Sequence, residues 1–478
     1  MSIMIGLDVK EKKEDYRLHV SLKGDEGHSV KNVLCKIYLP KRLTDPIELY
    51  FLPTKEQTEE SWSIPFNFSI YGERKDRSGK VNTIVQANEV YNKDMSVTEW
   101  GDGVSETLLI GDPVDLKISN LISQSKAEKG NDSLKGSFWL TPSIMLSPKK
   151  QIKRSFTGKV NVKTVGRFEF QLISDVTLSF DYHYKFSKNE NEDTISFPEL
   201  VAEFEIKSKE KDVNKLLGPL DDFLLLTSFA ERQRCVCLGW DSVDSYSYTH
   251  FFRRYMRIPQ ILRSHNFNAT LIFTKDFSKF IISTYKKFTE AKDNKLLRQA
   301  IQRAIYSLHE MSHNVFLTLF SGIESLVLLA HKESILSPTE WKEFKKYVKA
   351  FIKESPHLKG EKNKNRRTLI YEKIPALNEV AFSTAFKKLC SDYKIDLSDL
   401  WPVIDKKKGV TLYAIRNRLI HGDVLSFQEE HSLVWAGSHL RWTLERLILS
   451  ILEWPIVDSR VSFYNVSDKW IEARKAFG

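Results

Sequence analysis

Residues 296–331 read LLRQAIQRAIYSLHEMSHNVFLTLFSGIESLVLLAH, and this stretch decides the fold of the C-terminal part of the chain. Its apolar residues recur every three or four positions, which is the period of an amphipathic helix. The pattern is long for one straight helix, so it predicts two helices or one bent helix. Because the same period continues to the C-terminus, residues 291–478 are predicted to form an all-α bundle.

Four later segments supply the other helices of this bundle. They are WKEFKKYVKAFIKE (341–354), LIYEKIPALNEVAFSTAFKKLCSDY (369–393), TLYAIRNRLIH (411–421) and HSLVWAGSHLRWTLERLILSILEW (431–454). Pro375 marks a turn within the second segment, Gly422 closes the third and Pro455 ends the fourth. The aromatic residues of the first segment are expected to face the core, with its lysines at the rim.

The first 200 or so residues are rich in β-strand patterns. Short alternating or β-branched runs such as YRLHVSL (16–22) and VTLSFDYHYKF (176–186) are separated by polar turns such as KNENED (188–193). This pattern predicts a sandwich or a barrel-like module. Residues 201–290 mix strand and helix patterns, with a helix expected to break near Pro219. The predicted fold class is therefore α+β multidomain, with a β-rich module over residues 1–290 and a helical bundle over residues 291–478.

Charge and cysteine content limit the classes of function. The formal net charge is +10, and residues 341–370 hold 10 Lys and Arg against 3 Glu. Such a local excess of basic residues attracts polyanions such as nucleic acids. Four cysteines are too few for a disulfide scaffold, so a reducing cytoplasm is the expected compartment. No apolar run approaches the roughly 18 residues that span a membrane, and no membrane partner is expected.

The segment with the clearest chemistry is Tyr413-Ala-Ile-Arg-Asn-Arg-Leu-Ile-His-Gly-Asp423. Cleavage of RNA by its own 2′-hydroxyl needs a group that accepts a proton and a cation that stabilises charge on the phosphate. His421 suits the first task because the ordinary pKa of imidazole lies near neutrality. Arg416 suits the second because a planar guanidinium can donate twice to phosphate oxygens. No metal or other cofactor is needed, since the substrate supplies the nucleophile.

Helical geometry restricts how these two side chains can cooperate. Five residues at 100° each place Arg416 and His421 about 140° apart around the helix axis and about 7.5 Å along it. Asn417 and His421, at positions i and i+4, share one face and Asn417 could orient the substrate or the histidine. One helix would present an incomplete site, so two copies that meet across an interface would complete it. The alternative is a structural arginine followed by a histidine that the helix dipole stabilises.

The pattern Arg416-Asn417-x-x-x-His421 on a late helix of an α-bundle resembles the HEPN ribonucleases. The LFSGIESLVLL helix (319–329), the RNRLIHGD run (416–423) and the long β-rich region before them resemble the Apea-like HEPN proteins in particular. The resemblance is clearest over residues 291–455. It implies a homodimer that cleaves cellular RNA, with tRNA favoured, in bacterial anti-phage abortive infection. It also suggests that the N-terminal module senses a phage-derived trigger.

Several other side chains are candidates for supporting roles. Glu324 is a lone acid on an otherwise apolar helix, where it would be costly unless paired, and it could orient Arg416 from a neighbouring helix. Its alternative role is a structural ion pair. Basic residues expected to contact the RNA backbone are Arg418, Lys345, Lys349, Arg366 and Arg367. A non-catalytic protein that binds RNA and dimerises remains the main alternative function.

Three further motifs suggest different chemistry. His309-Glu310-Met311-Ser312-His313 matches the H-E-x-x-H pattern of zinc hydrolases, with Glu333 as a possible third ligand, although no second supporting motif follows. Gly72–Lys80 superficially resembles a phosphate-binding loop, but its spacing favours a polar hairpin turn. Cys235 and Cys237 are expected to be buried thiols rather than metal ligands.

Overall fold

The structure is a computed structural model. It describes the chain outside residues 1–15, 25–28, 40–46, 55, 58–66, 100–104, 122–132, 155–159, 189–193, 208–211, 254–269, 292–293, 307–311, 331–333, 406, 408, 463–469 and 478. An N-terminal antiparallel sheet region is followed by a helical region, as the predicted α+β class requires.

The chain divides into two compact units. The first contains Met1–Thr227 and Cys235–Phe267, and the second contains Ser228–Arg234 and Asn268–Gly478. The helical unit thus begins earlier than the boundary expected after residue 290. The physical reason is that the helix ending at residue 290 packs into the bundle, where the Phe280 ring lies edge-on to Trp454 with centroids 5.3 Å apart.

All strand pairings in the first unit are antiparallel. The strands are β1 (Tyr16–Gly24), β2 (Ser29–Tyr38), β3 (Glu48–Leu52), β4 (Asn67–Lys75), β5 (Val81–Glu99), β6 (Ser105–Pro113), β7 (Asp115–Leu121), β8 (Leu134–Leu140), β9 (Lys149–Arg154), β10 (Val160–Gly166), β11 (Glu169–Ile173), β12 (Val176–Lys188), β13 (Thr194–Ile206), β14 (Cys237–Val243) and β15 (Ser247–Arg253).

Thirteen of these strands form one sheet in the order β11-β12-β13-β8-β14-β15-β7-β5-β4-β1-β2-β3-β6. An additional pairing of β5 with β6 closes strands β1 to β6 into a ring, while β9 and β10 form a separate pair. Alternate side chains of β1, including Leu18, Val20 and Leu22, are buried in its interior. A closed ring leaves few unpaired strand edges.

Helix α1 (Asn214–Glu231) covers part of the open end of the sheet. Its Phe223 ring lies 4.6 Å from the Phe170 ring and 5.5 Å from the Phe180 ring, measured between centroids. The break predicted near Pro219 does not occur, because the helix continues through this residue. Proline removes only one backbone hydrogen bond there, and the buried Phe223 contacts stabilise the helical conformation.

The second unit is helical over most of its described length. Its helices are α2 (Phe277–Glu290), α3 (Asn294–Tyr306), α4 (Ser312–Ala330), α5 (Pro338–Glu354), α6 (Lys364–Lys373), α7 (Phe382–Asp392), α8 (Leu412–His421), α9 (Phe427–Ile451) and α10 (Trp470–Arg474). The stretch at 296–331 therefore contains two helices, as predicted. The turn predicted near Pro375 is also present, as a 3-10 helix from Ile374 to Asn378.

Helix α4 lies in the core of the bundle against α9. At Gly322 a Cβ atom would come within 2.8 Å of the Leu444 side chain, so the absent side chain allows the close approach of α9. The buried residues of α4 include Phe316, Phe320 and Ile323. This packing holds the remaining faces of α4 in fixed positions, including the face that carries Glu324.

One helix of the described residues is long and apolar enough to cross a membrane by length and composition. It is α4, with a mean hydropathy of 1.3 over Ser312–Leu329, although the sequence predicted no such run. The prediction considered only uninterrupted apolar runs and missed this window, in which Ser, His, Asn and Glu are dispersed. In the bundle, 44% of this window is buried.

Candidate active site

Local signals in the sequence define both ends of helix α8. The Thr411 hydroxyl accepts a hydrogen bond from the Ala414 backbone N–H at the start of the helix. At the other end Gly422 adopts a left-handed conformation with φ of 79°, and its N–H donates to the carbonyls of Arg418 and Leu419. His421 is therefore the last helical residue, and its side chain lies beside a sharp turn of the backbone.

Arg416 is held in place by residues of helix α4 and of its own helix. Its Nη2 donates to Glu324 Oε1 over 2.8 Å, and its Nη1 donates to Asn417 Oδ1 over 3.1 Å. The guanidinium also lies over the Phe320 ring, 5.8 Å from the centroid. The structure thus brings Glu324 and Asn417 into contact with Arg416, and the position of Glu324 beside Arg416 is the one expected from the sequence.

The Arg416 guanidinium keeps binding capacity in spite of these contacts. An arginine has five N–H donors, two of them are engaged with Glu324 and Asn417, and the other three have no hydrogen-bond partner among the described residues. The side chain remains 26% exposed, so a phosphate could reach it. The stacking and the two hydrogen bonds give this guanidinium a fixed position.

His421 contrasts with Arg416 because its imidazole is exposed and has no partner among the described residues. Asn417, expected on the same face, has its amide oxygen engaged by Arg416 rather than by His421. The Arg416 guanidinium thus has a fixed position, and the His421 imidazole is exposed without a partner in the described part of the chain.

Arg418 joins the end of α8 to the start of α9 through two carboxylates. Its Nη1 donates to Glu429 Oε1 over 2.6 Å, and its Nε donates to Asp423 Oδ2 over 3.3 Å. Hydrogen bonds from the Ser426 backbone and from Arg418 lower the pKa of Glu429 to about 2, and the hydrogen bond to Glu429 raises the pKa of Arg418. Both groups therefore stay charged above the ordinary pKa of a glutamate. With two carboxylates at its guanidinium, Arg418 is mainly a structural residue here and only secondarily a candidate RNA contact.

The other basic candidates lie on α5 and α6. Lys349 Nζ is 5.3 Å from the Tyr371 ring centroid, and the Tyr371 hydroxyl donates to the Lys349 carbonyl over 3.3 Å. Arg367 Nη1 donates to the carbonyls of the 358–360 turn, whereas Arg366 is exposed. Lys345 is half-buried. Lys349 and Arg366 are thus the most accessible of the predicted RNA contacts on these helices.

The prediction that the aromatic residues of α5 face the core is wrong. Phe344, Tyr347 and Phe351 are 42%, 75% and 79% exposed, and no residue of α5 is buried. The sequence pattern correctly predicted an amphipathic helix. It could not show that no other described element packs closely over its apolar face.

One pairing in this region could not be predicted from the sequence. His313, in the first turn of α4, lies with Nε2 2.9 Å from Oε1 of Glu430, in the first turn of α9. The sequence offered two roles for His313, a zinc ligand or a position on the half-buried stripe that includes Phe316 and Phe320. Nothing in the sequence links residues 313 and 430, because their contact depends on how two distant helices pack.

The structure describes only part of the H-E-x-x-H segment that suggested a zinc hydrolase. His309, Glu310 and Glu333 lie outside the described residues. Within the described part of the chain, no three His, Cys, Asp or Glu side chains are placed to hold a metal ion.

The remaining motifs have structural roles. Gly72–Lys80 lies in the β4–β5 hairpin, where Asp76 Oδ1 accepts hydrogen bonds from the backbone N–H groups of Ser78 and Lys80. Cys235 and Cys237 are buried thiols outside any disulfide, as predicted, and burial raises the pKa of Cys237 to about 12.

Comparison with known proteins gives no independent assignment. No family model, no curated protein and no solved structure matches the chain. The argument for function therefore depends on the side chains themselves.

Proposed function

We propose that this protein is a metal-independent endoribonuclease of the HEPN type. One observation carries the proposal: a single short helix presents a fixed arginine with free donors, Arg416, and ends in an exposed histidine, His421. These are the two groups that cleavage of RNA by its own 2′-hydroxyl requires. Local basic charge on α5 and α6 would attract the RNA backbone.

The reaction follows from these groups. The 2′-oxygen loses its proton and attacks the adjacent phosphorus, and the bond from phosphorus to the 5′-oxygen breaks. Arg416 donates hydrogen bonds to the non-bridging phosphate oxygens as negative charge builds up on them. His421 transfers a proton in this step. The products are a 2′,3′-cyclic phosphate and a 5′-hydroxyl, and no metal takes part.

Exposed apolar residues around His421 support a homodimer. Ile420, Val424 and Phe427 are 50%, 93% and 88% exposed, and they lie one residue before and three and six residues after His421 in the sequence. Large exposed apolar side chains that cluster on a surface mark interaction sites. A second copy that covers them would bring its own His421 toward this region, which would overcome the angular separation of Arg416 and His421 on one helix.

The cellular role follows the resemblance to Apea-like HEPN proteins. It comprises cleavage of cellular RNA, with tRNA favoured, during abortive infection in the bacterial cytoplasm. The β-rich unit would respond to a phage-derived trigger. Helix α4 is partly buried in the bundle, with 44% of its apolar window covered, and no membrane partner is proposed.

Sequencing of RNA ends in cells tests the activity directly. Expression of the wild type should produce new 5′-hydroxyl and 2′,3′-cyclic phosphate ends, and expression of Arg416→Ala should not. Lys286→Ala is the control, because it removes a cation of the helical unit whose ion pair with Glu290 is exposed and which has no part in the proposed site. Identical RNA ends in cells that express the wild type and Arg416→Ala would contradict the proposal. RNA binding without cleavage would favour the non-catalytic alternative.

A second variant tests the proposed dimer. Val424→Glu together with Phe427→Glu places two charges in the proposed interface, where their desolvation is unfavourable. The variant should sediment as a monomer at concentrations where the wild type is a dimer, and should lose cleavage. Val457→Glu is the control, since Val457 is a similarly exposed apolar residue elsewhere in the helical unit, 72% exposed. A wild type that is monomeric yet active would exclude the shared site.

A further inference from the structure

Helix α5 carries four exposed lysines along one flank. Lys342, Lys346, Lys349 and Lys353 follow one another at intervals of four, three and four residues. This spacing places them within about 60° around the helix axis and about 6, 4.5 and 6 Å apart along it. Lys345, on a neighbouring face, is half-buried and does not belong to this set. Together the four exposed residues form the lysine row.

No ion pair neutralises the lysine row among the described residues. Other cations of the helical unit differ in this respect, since Arg418 binds two carboxylates and Lys475 pairs with Glu472. Like charges three or four residues apart on a helix repel each other and lower its stability. The row therefore keeps a dense positive potential at the surface, which attracts a partner with several negative charges.

The folded surroundings of α5 fix the position of the row. Ser337 and Glu340 form a capping box at the start of the helix, so the helix begins at a defined residue. In the middle of the row, the Tyr371 hydroxyl of α6 donates to the Lys349 carbonyl over 3.3 Å, and Lys349 Nζ lies 5.3 Å from the Tyr371 ring centroid. The four charges thus stand at set intervals on a helix that α6 holds in place.

The geometry of α5 favours RNA over an anionic membrane as the partner of this row. The exposed aromatic residues Phe344, Tyr347 and Phe351 lie about 160° around the helix axis from the lysine row. A helix that lies on a membrane inserts its aromatic side chains into the lipid, which here would point the lysines away from the headgroups. An RNA strand needs only one flank, and an ammonium binds phosphate as a point charge without a fixed approach angle.

We infer that the lysine row binds successive phosphates of the substrate backbone and holds the RNA independently of its sequence. For the identity of the polymer the inference rests on the proposed ribonuclease function, and it concerns binding and not the chemical step. A polymer that is held along its backbone does not have to present its scissile bond to the same residues. Loss of the row should therefore weaken the binding of all RNA sequences to a similar extent and leave the cleavage rate of bound RNA unchanged.

The experiment measures the affinity for a labelled single-stranded RNA in which every 2′-hydroxyl is methylated. This probe lacks the nucleophile, so its binding is measured whether or not the protein is a ribonuclease. For a single strand each phosphate contact contributes about 0.7 to the slope of log affinity against log salt concentration, so replacement of all four lysines by glutamine should lower that slope by about 2.8. Between about 50 and 200 mM salt the wild type should then lose roughly 50-fold more affinity than the quadruple variant.

A pair of double variants controls for net charge. Lys346→Gln with Lys349→Gln removes two charges from the row, and Lys279→Gln with Lys286→Gln removes two exposed charges from α2. The row variant should lower the slope by about 1.4, and the α2 variant should leave it unchanged. Thermal denaturation of the quadruple variant should give a melting temperature no lower than that of the wild type, because glutamine removes the repulsion along the row.

Each other outcome has a defined meaning. A wild type that does not bind the probe, or equal changes of slope in the row and α2 variants, would overturn the role of the lysine row. Binding of the wild type to vesicles of phosphatidylserine and phosphatidylcholine but not to the probe, lost in the quadruple variant, would overturn it in favour of a membrane. The expected changes of slope in a protein that produces no new RNA ends would overturn the ribonuclease and leave the binding role of the row intact.

Discussion

Purified protein with His421→Ala is expected to cleave RNA about 10²–10⁴-fold more slowly than the wild type while it keeps the same thermal stability. The imidazole is exposed and has no partner among the described residues, so alanine removes no packing. A histidine in the last turn contributes at most about 1 kcal/mol through the helix dipole. The rate loss would therefore report proton transfer and not unfolding. Single-turnover cleavage of a labelled RNA in the presence of EDTA measures it.

The control for His421 is His431→Ala. This residue is another exposed histidine, on the first two turns of α9, and its loss should leave the rate unchanged. Wild-type cleavage in EDTA matters as much as the variant, because no step of the proposed reaction uses a metal. Activity that EDTA abolishes, and that zinc restores, would instead support the hydrolase suggested by His309, Glu310 and His313. Equal rates for His421→Ala and the wild type would remove the catalytic assignment.

Features that depend on short-range signals could be predicted from the sequence. The period of 3.6 residues predicted α3, α4 and α9, and Gly422 predicted the end of α8 because a left-handed backbone favours glycine. The pairing of Glu324 with a cation also followed from local reasoning. A single acid on an apolar helix is costly without a partner. The sequence indicated Arg416 as that partner, and the structure pairs the two side chains.

Features that depend on long-range packing could not be predicted. The ring of strands β1 to β6 closes through pairings such as β3 with β6 and β5 with β6, and alternation along one strand carries no information about its neighbours. The contact between His313 and Glu430 has the same origin. The aromatic residues of α5 were misplaced because an amphipathic pattern shows only that a helix has an apolar face, and not that something covers it.

Buried ion pairs are the other feature that the sequence did not reveal, and one of them leads to a large effect on stability. Arg446 of α9 donates from Nη1 and Nη2 to the two carboxylate oxygens of Asp399 over 2.6 and 2.7 Å. The arginine side chain is only 3% exposed and that of the aspartate 11%. Arg446 also donates to the carbonyls of Val461 and Asp396, so one side chain links α9 to two loops.

Asp399→Ala is expected to lower the free energy of unfolding of the helical unit by about 3–5 kcal/mol. The substitution leaves a guanidinium in the core without its counter-charge, and that desolvated charge is the main cost. Urea denaturation followed by circular dichroism at the helical band measures the change. Glu472→Ala is the control, because its ion pair with Lys475 is largely exposed and contributes no more than about 1 kcal/mol. An equally small change for Asp399→Ala would show that water or another group compensates the arginine.

A double variant separates the cost of an unpaired charge from the value of the pair. Arg446→Met combined with Asp399→Leu removes both charges and keeps apolar volume, so it should recover most of the stability that Asp399→Ala loses. Such recovery would mean that the pair contributes little net free energy. Its function would then be to fix the position of α9 relative to the loops around it, and through α9 the position of Glu429, which binds Arg418 in the last turn of α8. In that case the double variant should be stable but slow in RNA cleavage, since the position of His421 at the end of α8 depends on the placement of α9.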